Sequence, residues 1–316
     1  MTLLVRDAAQ ADELNAHHCN SRYLPGLRLH NAVRAVADAG FRFPPDSPAR
    51  TLLAAADLLI LAVPCQFIRD VLGRCIAWLS PSCVLVNAAK GIEISSLKTV
   101  ESIVGDLSPA HLPCYAAISG PSFAREAMLG KPTAVVLGCR SATLGAELRN
   151  AFSSQWFRTY SSTDVTGVEL GGAVKNVIAI AAGLSDGLEF GLNARAALLT
   201  RGLAEIRRLG VKLGARPETF MGLSGIGDLM LTCSGELSRN RQTGLRLGAG
   251  ESLNDILASS RSVSEGVPTT QAVCLLAAQN NIEMPICETI NAVLYKGMNP
   301  REAVRGLMSR RLKDED

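Results

Sequence analysis

Lys175 and Asn176 stand in the middle of residues 171–183, a stretch that is apolar almost all round at helical spacing. A helix with no polar face is a buried one. An ammonium group in such a place costs free energy unless it is paired, and desolvation lowers its pKa. A lysine so placed can exchange a proton near neutral pH, which is general acid–base chemistry. The plainer reading is a lysine snorkelling at a domain seam. The adjacent asparagine, a second polar cost in the same run, favours the chemical one. Histidine does not compete for the role in this half, because the four histidines are His17, His18, His30 and His111.

Four other strings carry candidate chemistry. Lys90, in Ala88-Ala89-Lys90-Gly91, follows directly on a short apolar run at 84–88. A cation just past a buried strand points into the crevice where α/β sheets hold ligands, unless it is only a solvated loop lysine. Ile118-Ser119-Gly120-Pro121-Ser122 also reads as a strand end, turning into a helix whose free amides would suit an anion or a cofactor amide. The alternative is that Ser122 merely caps that helix. The string 222–232 contains G-x-x-G-x-G, but no strand precedes it, so it does not read as a dinucleotide loop. Its Asp228 opens an apolar run and is a carboxylate that could pair with Lys175 or act as an N-cap. Finally, Ser238-Arg239-Asn240-Arg241 places a serine cap before basic residues in a first helical turn. Cations are disfavoured there unless an anion is present, which suggests a phosphate or carboxylate clamp rather than a solvated basic turn. Together these groups suit carbonyl/alcohol chemistry on a small phosphorylated or acidic substrate.

Elements able to position these groups are legible along the chain. Short apolar runs at 2–5, 58–63, 84–88, 114–119, 134–138 and 156–160 alternate with helical patterns at 66–79 and 141–152. That alternation predicts βαβ units and a mostly parallel sheet. From about residue 165 the strand signal stops, and apolar periodicity at 167–184, 193–210, 217–221, 266–279 and 299–310 predicts an all-helical half. The fold class is therefore α/β then all-α, a Rossmann-like domain over 1–164 followed by a helical substrate domain over 165–316. Residues 41–48, with three prolines, read as a surface loop.

Composition excludes several classes. With 316 residues, 47% hydrophobic and 19% charged, the chain is globular and long enough for two domains. A formal net charge of +3 and 4% aromatic residues argue against nucleic acid as the main partner. Nine cysteines at irregular spacing, with no C-x-x-C, predict core residues in a reducing cytoplasm rather than disulfides or a metal site. No secretory signal opens the sequence, and the apolar run at 52–63, broken by Asp57, is too short to span a bilayer.

Seven strings together resemble the bacterial NAD(P)-dependent glycerol-3-phosphate dehydrogenases: A-A-K-G at 88–91, S-G-P-S-F-A at 119–124, G-V-E-L-G-G-A-V-K-N-V-I-A-I-A-A-G at 167–183, N-A-R-A-A-L-L-T-R-G-L-A-E at 193–205, G-D-L-M-L-T-C at 227–233, L-S-R-N-R at 237–241 and S-E-G-V at 264–267. The likeness runs to the terminal R-R-L-K-D-E at 310–315. It implies reversible reduction of dihydroxyacetone phosphate to sn-glycerol 3-phosphate with NADPH or NADH, supplying phospholipid synthesis in the cytoplasm. Lys175 would be the proton donor or acceptor. Lys90, Gly120, Ser122, Asp228, Ser238, Arg239 and Asn240 would bind substrate, joined by position by Asn176 and Thr232. Arg6, Tyr23, Lys90, Ala124, Arg239, Val263 and Glu265 would meet the cofactor, with Arg6 able to accept a 2′-phosphate. No metal, nucleic acid or membrane insertion is implied, and a homodimer stays open.

The sequence departs from that family in two places. Met1–Asp7 matches the family's second strand, so the opening strand and its G-x-G-x-x-G loop have no counterpart, and residues 40–50 read as an insertion. A misplaced start and a true shortening both account for the first departure. Two other functions therefore stay open: a relative that only binds phosphorylated ligand, and a reductase of another small oxo-acid.

Overall fold

The computed structural model describes residues 1–260 and 263–309. Its first half runs β1 (Thr2–Val5), α1 (Ala8–His17), β2 (Arg34–Ala37), α2 (Pro48–Ala54), β3 (Leu58–Leu61), α3 (Cys65–Cys75), β4 (Val84–Asn87), α4 (Val100–Leu107), β5 (Tyr115–Ser119), α5 (Ala124–Met128), β6 (Thr133–Cys139), α6 (Ala142–Phe152) and β7 (Phe157–Ser162). The second half is helical: α7 (Val165–Gly187), α8 (Gly191–Lys212), α9 (Asp228–Ser234), α10 (Arg239–Gly248), α11 (Leu253–Ser259), α12 (Gly266–Gln279), α13 (Pro285–Tyr295) and α14 (Pro300–Met308). The string 310–315 lies outside the described residues.

The expected sheet is two sheets. Strands β3-β4-β5-β6-β7 form one, parallel throughout except for the antiparallel β5–β6 pair. β1 and β2 pair in parallel as a separate two-stranded unit backed by α1. Residues 217–221 form a 3-10 turn, not a regular helix. Residues 41–48 are not simply a surface loop. Phe41 and Phe43 are buried, with Phe43 edge-on to Trp78, and the buried Asp38 accepts from the Arg42 and Phe43 amides and the Ser47 hydroxyl. The prolines bend the chain while its alternate aromatics plug the sheet-side core.

Helix α7 explains its own composition. Its N-terminal turns lie on the sheet, where Gly138 leaves room for Val165 and Val168, and the rest is sheathed by α8, α9, α10 and α12. Val165 and Val168 belong to the sheet-side core, and Leu170 onward to the helical core. Thus α7 runs through the seam between the halves. It crosses α10 at backbone contact: a Cβ on Gly183 would fall 1.9 Å from the Arg241 carbonyl oxygen, and one on Gly244 would fall 2.0 Å from that of Ile180. Only glycine permits that approach. α7 is also the one described helix long and apolar enough to cross a membrane, and in this fold it is the protein core.

Candidate active site

Lys175 lies mid-way along α7, with 4% of its surface exposed. Its Nζ donates to Oδ1 of Asp228 and, at 2.8 Å, to Oγ1 of Thr232, one turn further along α9. The other oxygen of Asp228 accepts from Lys90 Nζ at 2.8 Å and from the Gly120 amide at 3.3 Å, with Ser119 Oγ at 3.4 Å. One buried carboxylate therefore stands between two lysines, one on the helical spine and one from a sheet loop. Burial pushes the Lys175 ammonium down and Lys90 adds to that, so that against the pull of Asp228 it titrates at about 7. Burial would raise the Asp228 carboxyl, but Lys90 and Lys175 outweigh it and hold it below the ordinary range. With both lysines protonated the trio carries one net positive charge, a setting suited to an anionic substrate.

The surrounding backbone fixes this trio. Gly225, with φ −98° and ψ −107°, turns the chain into α9 so that Asp228 reaches inward. Gly120 takes φ +127°, and a Cβ there would fall 2.9 Å from Val135 Cα on β6. Its carbonyl accepts from Lys90 Nζ at 3.4 Å and from Ser122 Oγ at 3.0 Å. Ser122 is accordingly not a helix cap, and α5 begins only at Ala124 and has five residues.

The asparagines tie the second half to the lysine loop. Asn176 donates to the Lys90 carbonyl at 3.1 Å and accepts from Asn240 Nδ2 at 2.9 Å. Asn240 in turn accepts from Ser264 Oγ and the Gly266 amide. Glu265 closes the far side, accepting from the Cys65 amide at 2.9 Å and the Lys90 amide at 3.3 Å. Its burial raises its own pKa.

The basic turn of α10 divides. Ser238 caps the helix by accepting from the Arg241 amide. Arg241 turns back to a buried ion pair with Asp186, which Arg195 shares, so it is no part of a clamp. Arg239 is exposed and has no ion-pair partner among the described residues. The remaining expected contacts are also exposed: Arg6 after β1, Tyr23 beneath the Arg22 guanidinium, Ala124 and Val263. No hydrogen bond ties these four to the lysine–aspartate trio.

Ser119 lies in a candidate string but without a role of its own there, and Asp186, Asn87 and Glu169 are not among the residues the sequence singles out. Glu169 carries the same kind of signal as Lys175, a charge in the apolar periodicity of 167–184. Asn87, a lone amide in the apolar run at 84–88, carries the same signal more weakly, because the run is only five residues long.

Comparison with known proteins places the chain. Residues 1–144 match the model of the NAD-dependent glycerol-3-phosphate dehydrogenase N-terminus, and 164–305 that of its C-terminus. The chain belongs to the NAD-dependent glycerol-3-phosphate dehydrogenase family. It is 58% identical over 315 residues to a glycerol-3-phosphate dehydrogenase [NAD(P)+] of Oleidesulfovibrio alaskensis, covering all of this chain and 92% of that one. The enzyme of the same name from Lawsonia intracellularis is 56% identical, over 99% and 88% of the two chains. A solved glycerol-3-phosphate dehydrogenase from Coxiella burnetii superposes with a TM-score of 0.89 at 34% identity, over 98% and 91%. D-mandelate dehydrogenase, at 12% identity and a TM-score of 0.60, shares the fold alone.

The family's cofactor is NADH or NADPH, and the residues present fit its two ends. The β1–α1 turn offers an exposed cation, Arg6, beside a carboxylate, Asp7, which caps α1 at the Ala9 amide. That pair suits a ribose or its 2′-phosphate. Lys90 and Glu265, joined through the Lys90 amide, lie beside the lysine–aspartate trio and offer a cation and a carboxylate to the other end. At the N-terminus of α1 the Ala9 amide is taken by Asp7, and at that of α3 the Cys65 amide is taken by Glu265.

Proposed function

We propose that this chain interconverts dihydroxyacetone phosphate and sn-glycerol 3-phosphate, with Lys175 as the group that holds and releases the proton. The carrying observation is the buried Lys175 between Asp228 and Thr232, with Lys90 on the same carboxylate. The nicotinamide cofactor supplies or accepts the hydride when bound. In reduction, protonated Lys175 Nζ gives its proton to the carbonyl oxygen as that oxygen becomes an alkoxide. The neutral amine left behind is the form burial favours, so the transfer is not fighting the environment. In oxidation the neutral amine takes the proton from the alcohol.

Asp228 holds the lysine, and the Thr232 hydroxyl, within reach of both, donates to the same carboxylate oxygen. Lys90, Gly120 and Ser122 form the sheet side of the substrate site. Ser238, Arg239 and the N-terminal turn of α10 take the phosphate. Asn176 and Asn240 support that turn against the lysine loop. Arg6, Tyr23, Lys90, Ala124, Arg239, Val263 and Glu265 are the cofactor contacts. On this reading 1–164 is the cofactor domain and 165–316 the substrate domain, the product feeds phospholipid synthesis, and the protein works in the cytoplasm without nucleic acid, with a homodimer the assembly to look for. Nothing in the geometry favours an oxo-acid reductase, whose solved likeness is confined to the fold.

The test is ketone-dependent oxidation of NADH and NADPH by the purified chain. Dihydroxyacetone phosphate should turn over, and dihydroxyacetone and small 2-oxo acids should be poor substrates by orders of magnitude. Equal rates with the unphosphorylated ketone would overturn the phosphate assignment, and preference for an oxo acid would overturn the substrate class.

A further inference from the structure

Lys90 sits on a loop, yet its backbone is held as tightly as a strand. The Lys90 carbonyl accepts from Asn176, and its amide donates to Glu265. The Ala89 carbonyl, on the same peptide as the Lys90 amide, and the Ala89 amide before it are both held by another side chain. The Ala89 amide donates to Oδ1 of Asn87 at 2.9 Å, while Nδ2 of Asn87 donates back to the Ala89 carbonyl at 3.2 Å. A single side chain at the end of β4 thus grips the residue immediately before Lys90 at both of its polar groups. Asn87 is 2% exposed and its side chain is itself anchored, since Nδ2 also donates to Glu169 Oε1 at 3.2 Å. Glu169 in turn cannot swing, because it accepts from the Tyr115 hydroxyl at 2.5 Å and from the Glu101 amide at 3.2 and 3.3 Å. Glu169 lies on α7, six positions before Lys175. The same helix therefore carries one lysine and holds the other twice, at its own carbonyl through Asn176 and at the residue before it through Glu169 and Asn87.

We infer that Asn87, anchored by Glu169, is a positioning residue that sets the reach of Lys90 to Asp228 and so the geometry of the proton-transfer trio. A buried amide with both polar atoms bonded is rigid, and removing it would leave the Ala89 amide and carbonyl without their partner, with the Lys90 peptide held only by Glu265 and Asn176. Lys90 would then lose its fixed 2.8 Å contact with Asp228. Misplacements of about 1 Å at a reacting centre cost up to roughly a hundredfold in rate.

The inference rests on the proposed dehydrogenase reading, and its test separates the two. Asn87→Ala and Lys90→Ala are combined in a double-mutant cycle on the full chain, with turnover of dihydroxyacetone phosphate as the readout. Asn87→Ala should lower kcat/KM about tenfold or more in the wild-type background and by less than about twofold when Lys90 is already alanine. An equal loss in both backgrounds would mean a merely structural role and would overturn the inference, as would no loss in either. Asn87→Ser, whose short hydroxyl can still accept from the Ala89 amide, should recover part of the activity, and it carries the same cycle if the alanine variant does not fold. Amide hydrogen exchange of the free protein gives a second readout that needs no activity. Ala89 should be protected in the wild type and exchange at least tenfold faster in the Asn87 variants, with the α7 amides unchanged. Unchanged exchange at Ala89 would overturn the inference even if the wild-type chain proved inactive, an outcome that would count against the proposed function alone.

Discussion

Lys175 departs from ordinary lysine behaviour because of where α7 runs, not because of a special neighbour. Burial is the larger influence, Lys90 works in the same direction, and Asp228 only partly opposes them. The sign of the resulting pH dependence follows. Reduction needs the ammonium, so kcat/KM for the ketone should fall as pH rises through about 7. Oxidation needs the neutral amine, so kcat/KM for the alcohol should rise through the same interval. Initial rates in both directions, measured over roughly two pH units either side of neutrality so as to bracket that titration, check this. Profiles of the same sign in both directions would contradict it. Arg239 behaves differently, being exposed and without an ion-pair partner among the described residues. Arg239→Ala should raise KM for the phosphorylated ketone by roughly tenfold or more, the loss of a charge-assisted hydrogen bond worth about 1.5–3 kcal/mol. Steady-state kinetics decide this, and an unchanged KM would remove Arg239 from the clamp.

Helices α7 and α10 set the distance between the proton carrier and the phosphate turn. Their crossing depends on glycines facing backbone, so Gly244→Ala should force the helices apart. An overpacked contact of this kind destabilises by about 1–3 kcal/mol. In a chain of this size that lowers Tm by several degrees, about 2–4 °C per kcal/mol. The variant should also bind the phosphorylated ketone more weakly, because Ser238 and Arg239 ride on α10. A melting curve superposed on the wild type's would contradict the role given to the crossing. Much at this scale was readable from residue types. The apolar girth of α7, the cap at Ser238 and the runs that became β3 to β7 all declared themselves. β2 did not, because Arg34-Ala35-Val36-Ala37, unlike the equally short β3 and β4, is too weakly apolar to stand out from its polar surroundings. The burial of Phe41 and Phe43 was hidden by the prolines that follow them. Asn87 was hidden for a different reason: its importance lies in a turn back onto Ala89, which no periodicity records.

The whole molecule makes its site at a seam. The sheet supplies Lys90 and Gly120, the helical half supplies Asp228, Thr232 and the α10 turn, and α7 passes between them carrying Lys175. The pairing of Lys175 with a carboxylate was expected from the sequence; that Lys90 would share that carboxylate was not, because residues 90 and 228 meet only when the halves are folded together. The separation of β1–β2 from the larger sheet belongs to this scale too, since Arg6 and Tyr23 ride on the smaller unit while the proton-transfer trio does not. Lys175→Ala, measured beside the wild type in ketone-dependent NADH oxidation and in a thermal melt, tests the central claim most directly. The variant should melt as a folded protein, with Asp228 still paired to Lys90, while kcat falls by at least about a hundredfold, the lower end of what a positioned general acid supplies. A folded Lys175→Ala chain retaining more than about a tenth of wild-type turnover, far above what loss of such a group allows, would contradict the account.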